Sequence, residues 1–464
     1  MEKIDLVIKL GTIVTSEGRQ RAGMAVHRGV IVGIMADELL PPADKVIDAS
    51  GKLVMPGVID PHTHLRDPGS EDVEDWTTGT QAAAAGGVTT VCEHPNSIPP
   101  VNSPENLRFK REIAAKKSLV DFALFGGAGE ENLDQIVPQA AEGIVAYKTF
   151  FWPYPDRRNE FAGLWTVDDG AIMEIFSRIA QTGLVECVHA ENKSIVDYYT
   201  RKLLKEGKIA PIYHEASRPV IAEVEAVSRA ILFAQATGVR LNIPHISCGS
   251  AAAKIREARQ AGYTNITGET CPHYLVWTKA RMTEAGPFAK INPPLRAQEE
   301  QDLLWECMRD GTLGTIGSDH APHRFAAKEK GWTDIFQAPA GSAGIETSLP
   351  VMLTLVNQGK LDLLALTKLM SENVAKLYGL YPRKGAIRAG SDADLVVVDM
   401  DKEATITADK LYTKEKRSAK LFEGWRTKGA PVMTIVRGKV VMQDGAVLGE
   451  PGWGKYIPRL GTNR

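Results

Sequence analysis

Leu53-Val54-Met55-Pro56-Gly57-Val58-Ile59-Asp60-Pro61-His62-Thr63-His64 carries the reading of the fold. A short apolar run, bounded by turn formers, ends in two histidines one residue apart. Such a run is too short for a buried helix and reads as a buried strand over 53–59. If the strand continues to His64, the spacing of two puts both imidazoles on one side. Seven further runs of this texture follow, at 88–93, 119–125, 143–150, 184–188, 240–244, 265–269 and 313–317. Helix-like stretches such as 105–116 and 220–236 separate them. Eight strand–helix units with mostly buried strands predict an α/β fold, a (β/α)8 TIM barrel over 52–385. A doubly wound open sheet is the architectural alternative.

Outside that span the texture changes. Residues 4–50 alternate β-branched runs with turns: Asp5-Leu6-Val7-Ile8, Gly23-Met24-Ala25-Val26 and Val30-Ile31-Val32-Gly33-Ile34. The far end repeats this at 393–398 and 431–438, with more strand up to Val447. Neither piece is large enough for a good core of its own. The expectation is a small β-sandwich domain built from both chain termini, 1–51 plus 386–464.

Composition narrows the function. The chain has 464 residues, with 55 Lys plus Arg against 57 Asp plus Glu, a formal net charge of −2. A nucleic-acid binder would show a basic excess. A hydrophobic fraction of 44% with 24% charge is that of a globular protein rather than a disordered one. No run approaches the ~18 apolar residues of a membrane helix. The start Met1-Glu2-Lys3-Ile4-Asp5 reads against a secretory leader. Five cysteines, odd in number and widely spaced, read as buried free thiols in a reducing compartment. These features predict a cytoplasmic enzyme with neither a nucleic-acid nor a membrane partner.

Six residues then stand out by position. His62 and His64 follow the first strand, Lys148 ends the fourth, His189 the fifth, His245 the sixth and Asp319 the eighth. In a barrel these C-terminal strand ends converge on one mouth. A lone strand-end histidine is usually a packed or solvated residue, and one His-x-His is commonly chance. Four histidines and an aspartate in barrel order point instead to a divalent metal site, with zinc as the expected ion. Lys148 has an ordinary reading as a solvated strand-end lysine. Beside two divalent cations its pKa would fall, and the neutral amine could add CO2 to give an anionic carbamate that bridges both ions.

These residues bring a resemblance. The chain is similar, over essentially its whole length, to the cyclic amidohydrolases of the amidohydrolase superfamily: dihydroorotase, allantoinase, hydantoinase and dihydropyrimidinase. The stretches that carry it are 56–64, Val188-His189-Ala190-Glu191-Asn192, Gly268-Glu269-Thr270-Cys271-Pro272-His273-Tyr274 and Ser318-Asp319-His320-Ala321-Pro322-His323. The resemblance implies two divalent ions. His62, His64, carboxylated Lys148 and Asp319 would hold one; Lys148, His189 and His245 would hold the other. It also implies Asp319 as the catalytic proton carrier and a homodimer or homotetramer. The activity implied is hydrolysis of a ring amide in a small cyclic ureide or imide. Some relatives of this kind lose metal ligands and act as interaction modules, but no ligand is missing here. Gly126-Gly127-Ala128-Gly129 lacks the full dinucleotide fingerprint and reads as a turn.

The substrate signals divide. Arg66, Asn96, Asn292 and His323 resemble dihydroorotase, in which residues matching Arg66, Asn96 and His323 grip a substrate carboxylate. A guanidinium at a barrel mouth suits that task, although Arg66 has the plainer reading of an ion pair with Asp67 or another acid. Residues 215–220, 341–350 and 452–459 look instead like allantoinase or hydantoinase. Tyr154 lies one residue beyond the place where hydantoinases carry an oxyanion-stabilising tyrosine, and with Trp152 it is an alternative pocket wall. Dihydroorotate is the leading expectation, and allantoin or a hydantoin the alternative.

Overall fold

The computed structural model describes residues 4–153 and 159–461. Its centre is an eight-stranded sheet joined in sequence order: Val58–Thr63, Val88–Glu93, Asp121–Gly127, Ala146–Phe150, Val185–His189, Arg240–Ile243, Ile266–Thr270 and Leu313–Ile316. Neighbouring strands all run parallel. Most of their residues are buried, as expected for a sheet with both faces covered. Closure comes from main chain just past the eighth strand. His64 N donates to His320 O at 2.8 Å, and His320 N to His62 O at 3.3 Å. This is a TIM barrel, which removes the open-sheet alternative.

The strand expected over 53–59 is two strands. Leu53–Pro56 pairs with Leu395–Thr405, outside the barrel, and Val58–Thr63 opens the barrel. Gly57 makes the turn between them. Its N–H bonds Asp394 O at 2.8 Å, and a Cβ there would lie 2.3 Å from the Thr89 methyl. Only a residue without a side chain lets the chain pass so close to Thr89. Gly126 and Gly127, read as a turn, instead end the third strand.

Both chain ends form the second layer pair. One sheet runs in the order Val30–Met35, Gly23–His27, Ile4–Lys9, Ala43–Asp48. The other runs Ala446–Val447, Lys439–Gln443, Arg426–Val436, Leu395–Thr405, Leu53–Pro56, Thr12–Val14, Arg19–Arg21. Leu6, Met24 and Ile31 of the first share a core with Val54, Leu395 and Ile435 of the second. Residues beyond 450 return to the barrel, where Phe122 N bonds Lys455 O and Ile457 N bonds Phe122 O. All five cysteines are buried and unpaired in disulfides.

Candidate metal centre

The C-terminal strand ends meet around a cavity of about 460 Å³. His62, His64, Lys148, His189, His245 and Asp319 all line it, as do Arg66, Asn96, Asn292 and His323. Tyr154 lies outside the described residues. Trp152 forms part of the wall, with the Arg218 guanidinium 4.5 Å over its ring. Seven described non-glycine residues have positive φ, and three of them are Arg66, His245 and Asp319. Left-handed backbone at bulky residues is costly, and its concentration here is typical of functional sites.

The donors fall into two groups. In one, Asp319 Oδ1 lies 3.4 Å from His62 Nε2 and 3.5 Å from His64 Nε2. In the other, His189 Nδ1 faces His245 Nε2 at 3.1 Å. Ligands about 2.0–2.1 Å from a tetrahedral ion are separated by roughly 3.3 Å, so both groups have the spacing of shared coordination. Each group has one ring steered from behind by a carboxylate. Glu269 Oε1 is 3.0 Å from His62 Nδ1, and Glu191 Oε2 is 3.1 Å from His189 Nε2. Such contacts fix which ring nitrogen is presented to an ion.

Burial sets the charge states. It holds His62, His64 and His245 well below the usual imidazole range, and neighbouring cations add to the effect. They are therefore neutral, the ligating form. Burial also lowers the Lys148 ammonium and raises the Asp319 carboxyl. It lifts Glu269 to about 8. Burial alone would raise Glu191 too, but Arg218 and His189 outweigh it and bring it to about 2. The Lys148 amine is fully buried and has no hydrogen-bond partner among the described residues, and the same is true of His64 Nδ1 and His245 Nδ1. A buried amine without a partner is costly. A divalent pair with a carbamate on that nitrogen would remove the cost, so these residues fit the group the sequence implied.

Sequence reasoning missed two neighbours. His94 stacks flat on His62, with ring centroids 3.8 Å apart, and its ring nitrogen lies within 4.8 Å of those of His62 and His64. Its position at the end of the second strand was the available signal. Glu160 is the other omission. It lines the cavity, and its Oε2 is 3.9 Å from Arg66 Nη1. Nothing local marks it, since the pair spans the fold. Of the acids the plainer reading offered Arg66, Asp67 bonds Lys117 and Trp76, and it is another acid, Glu160, that faces the guanidinium. Arg66 Nη2 is 3.5 Å from His323 Nε2.

Comparison with known proteins agrees with this geometry. The Amidohydrolase family model matches residues 53–441. An L-hydantoinase from Paenarthrobacter aurescens is 38% identical over 458 residues, covering 98% of both chains. An allantoinase from Deinococcus radiodurans is 37% identical, covering 98% of this chain and 99% of its own. A dihydroorotase from Methanosphaera stadtmanae is 36% identical over 427 residues, covering 91% and 93%. The solved L-hydantoinase from Arthrobacter aurescens superposes with a TM-score of 0.94 at 38% identity, covering 98% of this chain and all of that one. The leading dihydroorotate expectation is therefore the less supported of the two, and the hydantoinase–allantoinase alternative the better. On the family model, the end-to-end relatives and the metal-ready barrel mouth together, the chain belongs to the amidohydrolase family and is a cyclic amidohydrolase.

Proposed function

We propose that the protein opens the ring amide of a five-membered cyclic ureide, a hydantoin, with two divalent ions as resident cofactors and zinc as the expected metal. The observation that carries this is the pairing of two donor groups at coordination spacing with a buried, partnerless Lys148 amine in one cavity. His62, His64, carboxylated Lys148 and Asp319 would hold one ion, and Lys148, His189 and His245 the other. When bound, such ions make water acidic enough to ionise near neutral pH and polarise a carbonyl.

The chain's own part is positioning and proton handling. Asp319 takes a proton from the attacking water and passes it to the leaving ring nitrogen as the C–N bond breaks. One water is consumed, and the products are a carboxylate and a ureide. Burial raises the Asp319 carboxyl and so suits it to carry that proton. Asn96 and Asn292 each have a buried amide oxygen without a partner among the described residues, and both line the cavity. They are placed to accept ring N–H groups. Phe150, Phe161 and Trp152 wall the cavity and limit water. The choice of a hydantoin over dihydroorotate rests on the order of the relatives and on Glu160, whose carboxylate already faces Arg66. The buried free thiols support a reducing, cytoplasmic setting.

The test measures metal content after reconstitution with zinc and bicarbonate, then kcat/KM on hydantoin, 5-substituted hydantoins and dihydroorotate. Up to two ions per chain and preferential opening of hydantoins are expected. Metal content near zero sinks the cofactor reading, and dihydroorotate outpacing every hydantoin sinks the substrate reading.

A further inference from the structure

We infer that the cavity where the sandwich meets the foot of the barrel binds a phosphoryl polyanion, either free diphosphate or the diphosphate of a nucleotide. The inference is independent of the ring-opening reading, because this cavity shares no lining residue with the metal cavity.

Two tight turns build it. Arg28-Gly29 joins the strands Gly23–His27 and Val30–Met35, and Arg437-Gly438 joins Arg426–Val436 and Lys439–Gln443. Two-residue hairpin turns with positive φ at both positions favour Asn-Gly or Asp-Gly. Here an arginine stands first in each, at φ 50° and 46°. That backbone is costly for a long side chain. Ala393 ties the turns together: its N–H bonds Gly29 O at 2.8 Å, and its carbonyl accepts from Gly438 N at 3.0 Å. Both arginines line a cavity of about 780 Å³. Of the seven described non-glycine residues with positive φ, three line the metal cavity and these two line this one.

The charges decide what fits. Lys45, Arg383, Lys439 and Lys455 complete the basic lining, against Asp5 and Asp392. Both acids are already engaged. Asp392 lies 3.0 Å from Arg383 and from Lys384, and Asp5 accepts from the Arg28 N–H and faces His27 at 3.2 Å. Lys439 reaches only Glu450, whose side chain is 79% exposed, a pair of little strength. Lys45 and Lys455 have no ion pair among the described residues. Trp453 holds two of the cations in place, with Arg437 4.5 Å and Lys439 4.7 Å from its ring centroid. Lys455 is fixed at the start of the third barrel strand, where its N–H bonds Asp121 Oδ1 at 2.8 Å. Cations from several stretches of chain thus converge on one concavity and focus a positive field there. A lone carboxylate offers two oxygens in one plane and is satisfied by a single guanidinium fork. Linked phosphoryl groups carry more charge and turn oxygens in several directions, which suits donors arriving from several sides.

The experiment titrates the zinc-loaded protein with inorganic diphosphate, ADP and citrate at constant ionic strength, by calorimetry. Diphosphate should bind, and a hundredfold excess over its Kd should raise the melting midpoint by about 2–3 °C. Lys45→Glu with Lys455→Glu should weaken it at least 30-fold. The same charge change on the outer barrel helices, Lys202→Glu with Lys254→Glu, should weaken it less than threefold. Lys45 and Lys455 are exposed, and either single variant serves if the pair does not fold. ADP binding tenfold tighter than diphosphate supports the site with a nucleotide as its source, and equal affinity supports it with the free anion. No binding of diphosphate or ADP overturns the inference. So does binding that both charge-reversed pairs weaken alike, or that neither weakens, which would place the anion elsewhere, the metal centre included. Citrate binding as tightly as diphosphate overturns the phosphoryl assignment.

Discussion

Replacing Lys384 by Met tests how the barrel and the sandwich are held together. Lys384 is buried, and its ammonium contacts Asp121 at the start of the third barrel strand, Asp394 at 2.5 Å and Asp392 at 3.0 Å. Arg437 donates from Nε to both Asp121 oxygens, at 3.1 and 3.0 Å, and Arg383 lies 3.0 Å from Asp392. The three aspartates resemble a metal cage, but three cations already answer them. Burial alone would lower the Lys384 ammonium, yet the carboxylates outweigh it and raise it. Methionine keeps most of the aliphatic stem and removes the charge, which leaves one buried carboxylate uncompensated. Breaking a buried pair from one side costs about 3–5 kcal/mol. A chain of this length gains roughly 1 kcal/mol/K of entropy on unfolding, so the melting midpoint should fall by about 3–5 °C if both parts melt together. Calorimetry and urea titration measure this. The loss should grow with pH. Without Lys384 the Asp394 carboxyl is pushed further above its unfolded value, and Asp121, held low by its cations, loses part of that lowering; stability is kept below about pH 4 and lost as pH climbs. Burial already lifts Asp394 to about 6 in the intact protein. Adding Asp394→Asn should recover more than half of the loss. A Lys384→Met protein within 1 kcal/mol of wild type, or a double variant that merely sums two losses, would refute the ion-network argument.

Other expectations are quicker to state. Lys148→Ala should not retain two ions per chain after dialysis, as read by elemental analysis; two retained ions would contradict the carbamate bridge. Glu269→Gln should weaken zinc binding about 10–100-fold in a chelator competition, because the carboxylate 3.0 Å from His62 Nδ1 orients that ring. An unchanged affinity would make Glu269 a bystander. Glu186 is fully buried, and burial outweighs the lowering by Thr149 and Lys148 to push its carboxyl up to about 8. Its folded pKa is above the ordinary value, so its stability contribution is full below pH 4.5 and drains away up to pH 8. The melting temperature of Glu186→Gln relative to wild type should therefore rise between pH 5 and pH 8, and a flat difference would exclude that assignment.

The barrel was legible because its strands are buried on both faces and read as short apolar runs. Strands begin at Val88, Arg240 and Leu313, as the runs predicted. Strand-end histidines were legible because each chemistry-bearing side chain sits at a boundary the pattern marks. The division at Gly57 was not, since it depends on Thr89 and Asp394, distant residues that touch only in the fold. Glu160 was missed for the same reason: its partner Arg66 is far away in sequence and belongs to another wall. Lys384 looks like an ordinary turn lysine until Asp121 closes on it. Periodicity records which way a side chain faces, and it does not record which charge waits on the other side.

The sheet shared by both chain ends has a consequence for the order of events during synthesis. Met55 pairs with Val396, a closure of about 340 residues. Pairings of such separation form slowly in a free chain. A folded barrel brings the two segments to the same place, as the contact of Gly57 N with Asp394 O shows. The ribosome must therefore pass residue 405 before the strand Leu53–Pro56 has its partner, and until then the edge carrying Val54 and Met55 is open to pairing with a neighbouring nascent chain. Chaperone dependence of this protein should be concentrated in that interval, and should ease once the strand Leu395–Thr405 has emerged.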